Sequence, residues 1–184
     1  NPDATNRGIS TSLPRILGDS SYHTTLVTDD SQLLHFESAE DFLDCVRVDN
    51  VNSGTSLAVD LAETSLAALF ATAGEVMQRR SKTSAAGVSE HGHPQLIWLH
   101  TRGFFGPWDA PLHLQECLRD TDDPPPIQTA TPPDFQLGNN DDPDIAYQYG
   151  VAYAAQVMVL DECWRNLNQL LPPNDATEQW LVLL

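Results

Sequence analysis

The sequence predicts an α/β protein with three layers, in which helices cover both faces of a mostly parallel sheet. Strand-like segments rich in β-branched and aromatic residues alternate with amphipathic helical segments along the chain, which is typical of this class. One strand-like segment, residues 95–100, is a near-continuous apolar run of the kind found in strands covered on both faces. Because 184 residues are enough for one sizeable core, we expect residues 1–184 to form a single domain.

The first helix and the first strand are predicted near the start of the chain. Ser12 suits the N-cap and Pro14 the first turn of a helix over residues 12–17, which Gly18 is expected to end. Residues 22–28 follow with β-branched and aromatic side chains and predict a strand.

The middle of the chain continues the alternation. A short helix is predicted between residues 38 and 46, and a long amphipathic helix over residues 60–80, whose last turn carries two arginines. The apolar run extends to a strand over residues 95–101, and residues 112–118 predict another short helix.

The last third predicts a long loop, a long helix and a final strand. Residues 120–144 are dense in Pro, Asp and Asn, and a loop of that length is usually functional or disordered. A helix follows over residues 145–171, and residues 179–184 resemble a buried strand that runs to the last residue, so we expect the chain to be a fragment. The helix is expected to bury one face formed by Ile145, Tyr149, Ala152, Tyr153, Val157, Leu160, Trp164, Leu167 and Leu171.

The charge of the chain excludes several classes of partner. Nine Lys and Arg stand against 26 Asp and Glu, which gives a net charge of −17. Such a surface repels phosphate backbones and anionic lipids, so we expect no nucleic-acid partner and no membrane partner. No apolar stretch is long enough to predict a transmembrane helix.

Metal and redox sites are not predicted from the residue spacing. The three cysteines, Cys45, Cys117 and Cys163, are far apart and are expected to be small buried side chains, which leaves the cellular compartment open. His91 and His93 lie in a loop rich in Ser and Gly and are interpreted as a solvated pair. The acidic run over residues 139–144 is interpreted as a cap for the helix that follows.

Three stretches of the chain, taken in order, carry a resemblance. Residues 13–24 read LPRILGDSSYHT, residues 96–111 read LIWLHTRGFFGPWDAP, and residues 153–161 read YAAQVMVLD. They are similar to a helix followed by aGYxT and a strand, to flwvHxxxPHxPyxxP, and to Yxaxvxxld. In this order they resemble the sulfatase family of the alkaline phosphatase superfamily.

This resemblance implies a part of an alkaline phosphatase-like core and the function of a sulfuric ester hydrolase. The family uses a nucleophile in a Cys/Ser-x-Pro-x-Arg motif that is converted to formylglycine, a calcium ion held by carboxylates, and Lys and His groups around the sulfate. Cations and a metal suit this chemistry because charge develops on the leaving oxygen of the ester. The implied partner is a small-molecule sulfate ester.

The chain departs from the family at the positions that carry the chemistry. None of the cysteines has a Pro two residues later, so no catalytic residue is assigned. Asp29 and Ser31 stand where the family has Lys and His, and Phe105 stands at the second His of the second motif. Calcium is expected for active members of the family, but its ligands fall outside these residues, so no cofactor and no metal ligand are predicted within the chain.

Four residues remain as candidates for substrate binding. His100 falls on the first His of the second motif, and Arg102, Trp108 and Asp109 follow the carboxyl end of a predicted strand, where open parallel sheets place their ligands. The resemblance implies a sulfatase-like hydrolase fragment that is inactive by itself. The altered positions leave two alternatives: an inactive sulfatase-fold binding module, or an unrelated α/β binding domain. The sequence does not predict an oligomeric state.

Overall fold

Three parallel strands form the sheet of the protein. The computed structural model describes residues 12–49, 55–85, 94–134, 138, 142–171 and 180–182. The strands are β1 (His23–Thr28), β2 (Asp44–Arg47) and β3 (Gln95–His100). The helices are α1 (Leu13–Asp19), α2 (Ser65–Ala85), α3 (Leu112–Glu116) and α4 (Pro143–Asn168), with single 3-10 turns at Leu33–His35, Glu37–Ala39, Leu61–Glu63 and Gly103–Phe105.

The strand order is β2-β1-β3, and both pairings are parallel. Thr28 at the end of β1 pairs with Arg47 of β2 and with His100 of β3, so the three carboxyl ends meet at one edge. The mixed α/β class and the strands predicted over residues 22–28 and 95–101 are therefore confirmed, to within one residue at each end.

The second strand corrects the helix predicted between residues 38 and 46. Glu37–Ala39 forms one 3-10 turn, and Asp44–Arg47 forms β2, in which side chains alternate between partly buried and exposed. The Leu43 N–H donates to the Thr24 carbonyl oxygen at 3.1 Å and brings the segment onto β1. A stretch this short fits both the helical and the extended periodicity of apolar residues, and pairing with β1 determines that it forms a strand.

The strand predicted over residues 179–184 is not present in its described part. Residues 180–182 form no strand, and Leu181 is 83% exposed; residues 179, 183 and 184 lie outside the described residues. An apolar run becomes a strand only where a neighbouring strand accepts its hydrogen bonds, which composition does not reveal. The three-layer arrangement and the larger sulfatase-like core stay predictions.

The first helix begins as predicted and ends differently. The Ser12 hydroxyl accepts from the Arg15 N–H at 3.4 Å and donates to the Asp41 carboxylate at 2.5 Å, which confirms Ser12 as the N-cap. Gly18 does not end the helix. Instead Ser21, with φ +68°, turns the chain, and the Tyr22 N–H donates to the Leu17 carbonyl oxygen at 2.9 Å. This is a Schellman motif with serine at the left-handed position, where glycine is usual.

We expect Ser21→Gly to stabilise the protein by about 1 kcal/mol, because the left-handed conformation strains a side chain with a Cβ atom and does not strain glycine. Urea unfolding measures the change. Ser20→Gly is the matched control and should destabilise, since Ser20 has φ −92° and its hydroxyl donates to the Ile16 carbonyl oxygen. Equal stabilities for the two variants would contradict this account of the turn.

The long helix α2 covers one face of the sheet. Val27 of β1 packs with Leu69, Ala73 and Val76 of α2 in a buried cluster. The helix starts at Ser65 instead of residue 60, because Leu61–Glu63 forms a separate turn and the Thr64 hydroxyl accepts from the Ala67 N–H at 3.2 Å as an N-cap.

The helix α4 packs on α2 with a face that matches the predicted one only in part: Ala152 is buried, and Leu160, Trp164 and Leu167 pack against the core as predicted. Its N-cap is Asp142, which accepts from the Asp144 N–H at 3.0 Å and confirms the capping role of this acidic run for its described part. Ile145, Tyr153 and Val157, which were predicted to be buried, are exposed. The buried side chains are Val151, Ala152, Ala155, Gln156, Val159 and Cys163.

The buried face of α4 is turned by about one residue, roughly 100°, from the predicted face. Small residues explain this, because Ala152 and Ala155 leave room for the segments of the same chain that pack against α4. The side-chain oxygen of Gln156 accepts a hydrogen bond from a buried backbone N–H. Among the residues that the structure describes, no helix is long and apolar enough to cross a membrane.

Only one of the three cysteines is buried as predicted. Cys163 lies in the core, where burial raises the pKa of its thiol to about 11. Cys45 and Cys117 are exposed, because the first lies on the edge strand β2 and the second follows the last turn of α3.

The long connection after α3 is attached to the body of the protein over its described part, residues 120–134. The Gln115 side chain donates to the Ile127 carbonyl oxygen at 3.0 Å and accepts from the Ile127 N–H at 3.1 Å. The Tyr147 hydroxyl of α4 donates to the Asp123 carboxylate. These bonds fix the connection against α3 and the start of α4.

The Asp123–Tyr147 contact predicts an effect of pH. The Tyr147 hydroxyl and then the Asp120 N–H, by hydrogen bonding to the carboxylate, lower the pKa of Asp123. A lowered pKa in the folded state means that the contact stabilises the fold above the ordinary Asp value of about 3.9, and that this contribution is lost as the pH falls through the lower folded value. We expect Tyr147→Phe to raise the pKa of Asp123 in a carboxyl NMR titration, whereas Tyr149→Phe should leave it unchanged.

Candidate functional site

The carboxyl edge of β1 and β3 brings His100 next to Thr28. The Thr28 hydroxyl and His100 Nδ1 lie 3.0 Å apart, and the same hydroxyl accepts from the Asp30 N–H at 3.0 Å. Thr28 is fully buried, whereas His100 is partly exposed. The threonine therefore fixes the orientation of a histidine ring at the surface of this edge.

Asp29 joins the ends of the two strands. Its carboxylate accepts from the Thr101 hydroxyl at 3.1 Å and from the Arg102 N–H at 2.8 Å. Under the resemblance to the sulfatase family, Asp29 stands at a position where a lysine would bind sulfate. In the structure the Asp29 carboxylate holds the backbone of Arg102 in place and links the end of β1 to the residues that follow β3.

The turn after β3 is built by backbone and side-chain bonds. Gly103 has φ +56°, a conformation that favours glycine, and the Arg102 guanidinium donates to the Phe105 carbonyl oxygen at 3.1 Å. The Trp108 indole N–H donates to the Phe104 carbonyl oxygen at 2.8 Å. This turn leaves the Phe105 side chain 89% exposed.

Asp109 points into the protein. It is 0% exposed, and one carboxylate oxygen accepts from both the N–H and the hydroxyl of Ser65, each at 2.7 Å. These bonds place a negative charge at the N-terminus of α2, where the helix dipole favours it. The other oxygen, Oδ1, is buried without a hydrogen-bond partner among the described residues.

The residue after Asp109 connects this buried charge to α4. The Ala110 N–H donates to the buried side-chain oxygen of Gln156 at 3.0 Å, and the Asp109 carbonyl oxygen accepts from the Ala58 N–H at 2.9 Å. Asp109, Ser65 and Gln156 thus join three segments of the chain inside the core. We call these three residues the buried polar cluster.

The structure divides the four predicted substrate-binding residues among three places. His100 and Arg102 lie at the carboxyl edge of the sheet, Trp108 contacts the rings of α4, and Asp109 belongs to the buried polar cluster. His100 and Trp108 are partly exposed, Arg102 is exposed, and Asp109 is buried. Substrate binding by the four residues stays a prediction.

Sequence reasoning missed the residues that position this edge. Thr28 and Thr101 are predicted only as the last residues of two strands, and Ser65 and Gln156 are not among the predicted site residues. Ser65 lies 44 positions from Asp109, and Gln156 lies 46 positions from Ala110, so no local spacing connects them. The available signal in the sequence was the presence of polar residues, Ser65 and Gln156, within helices that are predicted to be partly buried.

The described residues contain no group of three or more His, Cys, Asp or Glu side chains arranged to hold a metal ion. His91 and His93 lie outside the residues that the structure describes. The comparisons with protein-family models, with curated proteins and with solved structures give no match to this chain.

Proposed function

We propose that this chain forms the substrate-binding edge of a sulfatase-like domain and that it binds a small sulfate ester without hydrolysing it. The observation that carries the proposal is the position of His100 and Arg102, two residues apart in sequence, at the carboxyl edge of a parallel sheet. Open parallel sheets place their ligands at this edge. The order of the three similar stretches, described above, supplies the link to sulfate esters.

The two side chains have the chemistry that a sulfate ester needs. The Arg102 guanidinium donates one hydrogen bond to the Phe105 carbonyl oxygen and keeps further N–H donors, which suit the oxygens of an anion. A histidine ring adds a further donor, and Thr28 holds that ring in one orientation. Together they bind and orient an anion, but they do not supply the nucleophile that would cleave its ester bond.

The absence of hydrolysis follows from the sequence. No Cys/Ser-x-Pro-x-Arg motif occurs in the 184 residues, and the nearest approach to it, Ser12-Leu13-Pro14-Arg15, has its serine engaged as the cap of α1. A hydrolase that has lost its nucleophile retains only the contribution of binding and orientation, about 10³–10⁴ over water in the best-studied case. This favours the binding module over the enzyme as the function of these residues.

Two measurements test the proposal on the chain. The first is turnover of 4-nitrophenyl sulfate and 4-nitrophenyl phosphate with calcium present, for which we expect no rate above a heat-killed control, and none for Phe105→His. The second is calorimetric titration with 4-nitrophenyl sulfate, in which we expect His100→Ala and Arg102→Ala to weaken binding about tenfold each, equal to about 1.4 kcal/mol.

Matched controls lie far from the edge. His113→Ala and Arg79→Ala remove an exposed histidine from α3 and an exposed arginine from α2, and they should bind the ester as the original chain does. Turnover by the unmodified chain would overturn the inactive module. Equal losses in the control variants, or no binding at millimolar ester, would overturn the site.

A further inference from the structure

An aromatic surface lies beside the carboxyl edge and is not used by the proposed function. We call Phe104, Phe105, Trp108, Tyr149 and Tyr153 the aromatic patch. The ring of Tyr153 lies 4.8 Å from that of Phe104 and 5.7 Å from that of Trp108, and Trp108 lies 6.4 Å from Tyr149, between ring centroids. The rings of Phe104, Trp108, Tyr149 and Tyr153 therefore form one continuous surface, and Phe105 follows Phe104 in the turn after β3.

The patch is exposed in part. Tyr153 is 44% exposed and Phe105 is 89% exposed, whereas Phe104, Trp108 and Tyr149 are partly buried. Ile145 and Val157, one helical turn before Tyr149 and one after Tyr153, are also exposed and lengthen the surface along α4. Contiguous exposed apolar surface of this kind marks interaction sites more often than scattered single side chains do.

Hydrogen bonds and ring contacts within the chain position most of the patch. The hydrogen bonds from Arg102 and Trp108 fix the turn, Asp29 fixes its first residue, and ring contacts fix Tyr149 and Tyr153. A partner that binds here does not have to order these side chains, so more of the contact energy contributes to affinity. Tyr, Trp and Phe are also the residues that are enriched in protein interfaces.

The charges around the patch select a basic partner. In residues 94–108 and 142–161 the only Lys or Arg is Arg102, whose guanidinium is bound to the Phe105 carbonyl oxygen. Asp142 and Asp144 lie at the start of α4, whereas Asp161, one turn beyond Val157, is already paired with Arg165 at 2.8 Å. The chain as a whole has a charge of −17, which attracts cations and repels nucleic acids and acidic peptides.

We propose that the aromatic patch binds an arginine-bearing peptide segment of a protein partner. A guanidinium stacks on aromatic faces and keeps its charge, so it matches both the rings and the surrounding carboxylates. Leucine-type side chains between the arginines match the apolar extension of the patch along α4. This proposal does not depend on the binding of sulfate esters.

The test uses the chain and the peptide acetyl-RLRLR-amide in a calorimetric titration. We expect binding that weakens at least tenfold when citrulline replaces every arginine, because citrulline keeps the shape and removes the charge. We expect Phe105→Ser and Tyr153→Ser each to weaken binding about tenfold, and a lysine peptide to bind several-fold more weakly than the arginine peptide.

Phe36→Ser is the matched control, because Phe36 is an exposed phenylalanine outside the patch. It should bind the peptide as the original chain does, and circular dichroism should show all three variants folded. Three results would overturn the proposal: no binding at 1 mM peptide, equal binding of the citrulline peptide, or the same loss in Phe36→Ser as in Phe105→Ser.

Discussion

Asp109→Ala is expected to lower the free energy of unfolding by about 3 kcal/mol. The substitution removes the acceptor of two buried Ser65 donors and the negative charge at the N-terminus of α2. A hydrogen bond to a charged group contributes about 1.5–3 kcal/mol, and a buried donor that loses its partner adds its own desolvation cost. Urea unfolding, followed by circular dichroism, measures the difference.

Two variants separate the hydrogen bonds of Asp109 from the size of its side chain. Asp109→Asn keeps an oxygen acceptor and should recover part of the loss, and Ser65→Ala removes only the hydroxyl donor and should lose about 1 kcal/mol. Asp161→Ala is the control for an exposed acid on a helix and should change stability by less than about 0.5 kcal/mol. If Asp109→Ala behaves as this control does, the buried polar cluster does not stabilise the fold.

Leu69→Ala is expected to destabilise the protein by about 3 kcal/mol. Leu69 is 0% exposed and packs between α2 and the sheet with Val27 and Ala73. Truncation removes buried methyl groups and leaves a cavity that the neighbouring strand cannot fill without moving, which costs about 2–5 kcal/mol at comparable sites. The change should appear in the denaturation midpoint without a change in its slope.

An exposed apolar residue provides the comparison for Leu69. Val59→Ala alters a side chain that is largely in solvent and should change stability by less than about 0.5 kcal/mol. A loss for Leu69→Ala no larger than that for Val59→Ala would mean that α2 does not cover the sheet as described here.

The parts of the fold that sequence reasoning predicted are those with a clear period or a strong local signal. The strands β1 and β3, the cap at Ser12 and the existence of α2 and α4 all belong to this group. The strand β2 was missed because four residues are too few to distinguish a helical from an extended period. The face of α4 was predicted only in part, because large apolar residues were preferred to the small ones that allow close packing.

The candidate site was less predictable because long-range hydrogen bonds build it. Asp29 was considered only for its charge, yet its bonds to Thr101 and Arg102 connect residues more than 70 positions apart. Asp109, a candidate for substrate binding, is buried, because Ser65 offers it two donors at a helix N-terminus. Such partners are determined by the tertiary fold and leave no regular spacing in the sequence.

The central claim is that His100 and Arg102 form an anion-binding edge, and NMR titration with 4-nitrophenyl sulfate tests it most directly. We expect the largest changes in backbone chemical shift at Thr28, Asp29 and residues 100–103, with the His100 ring signals moving along the same binding curve. We expect these changes to disappear in His100→Ala and Arg102→Ala and to persist in His113→Ala. Changes confined to residues away from this edge, or none up to 10 mM ester, would contradict the claim.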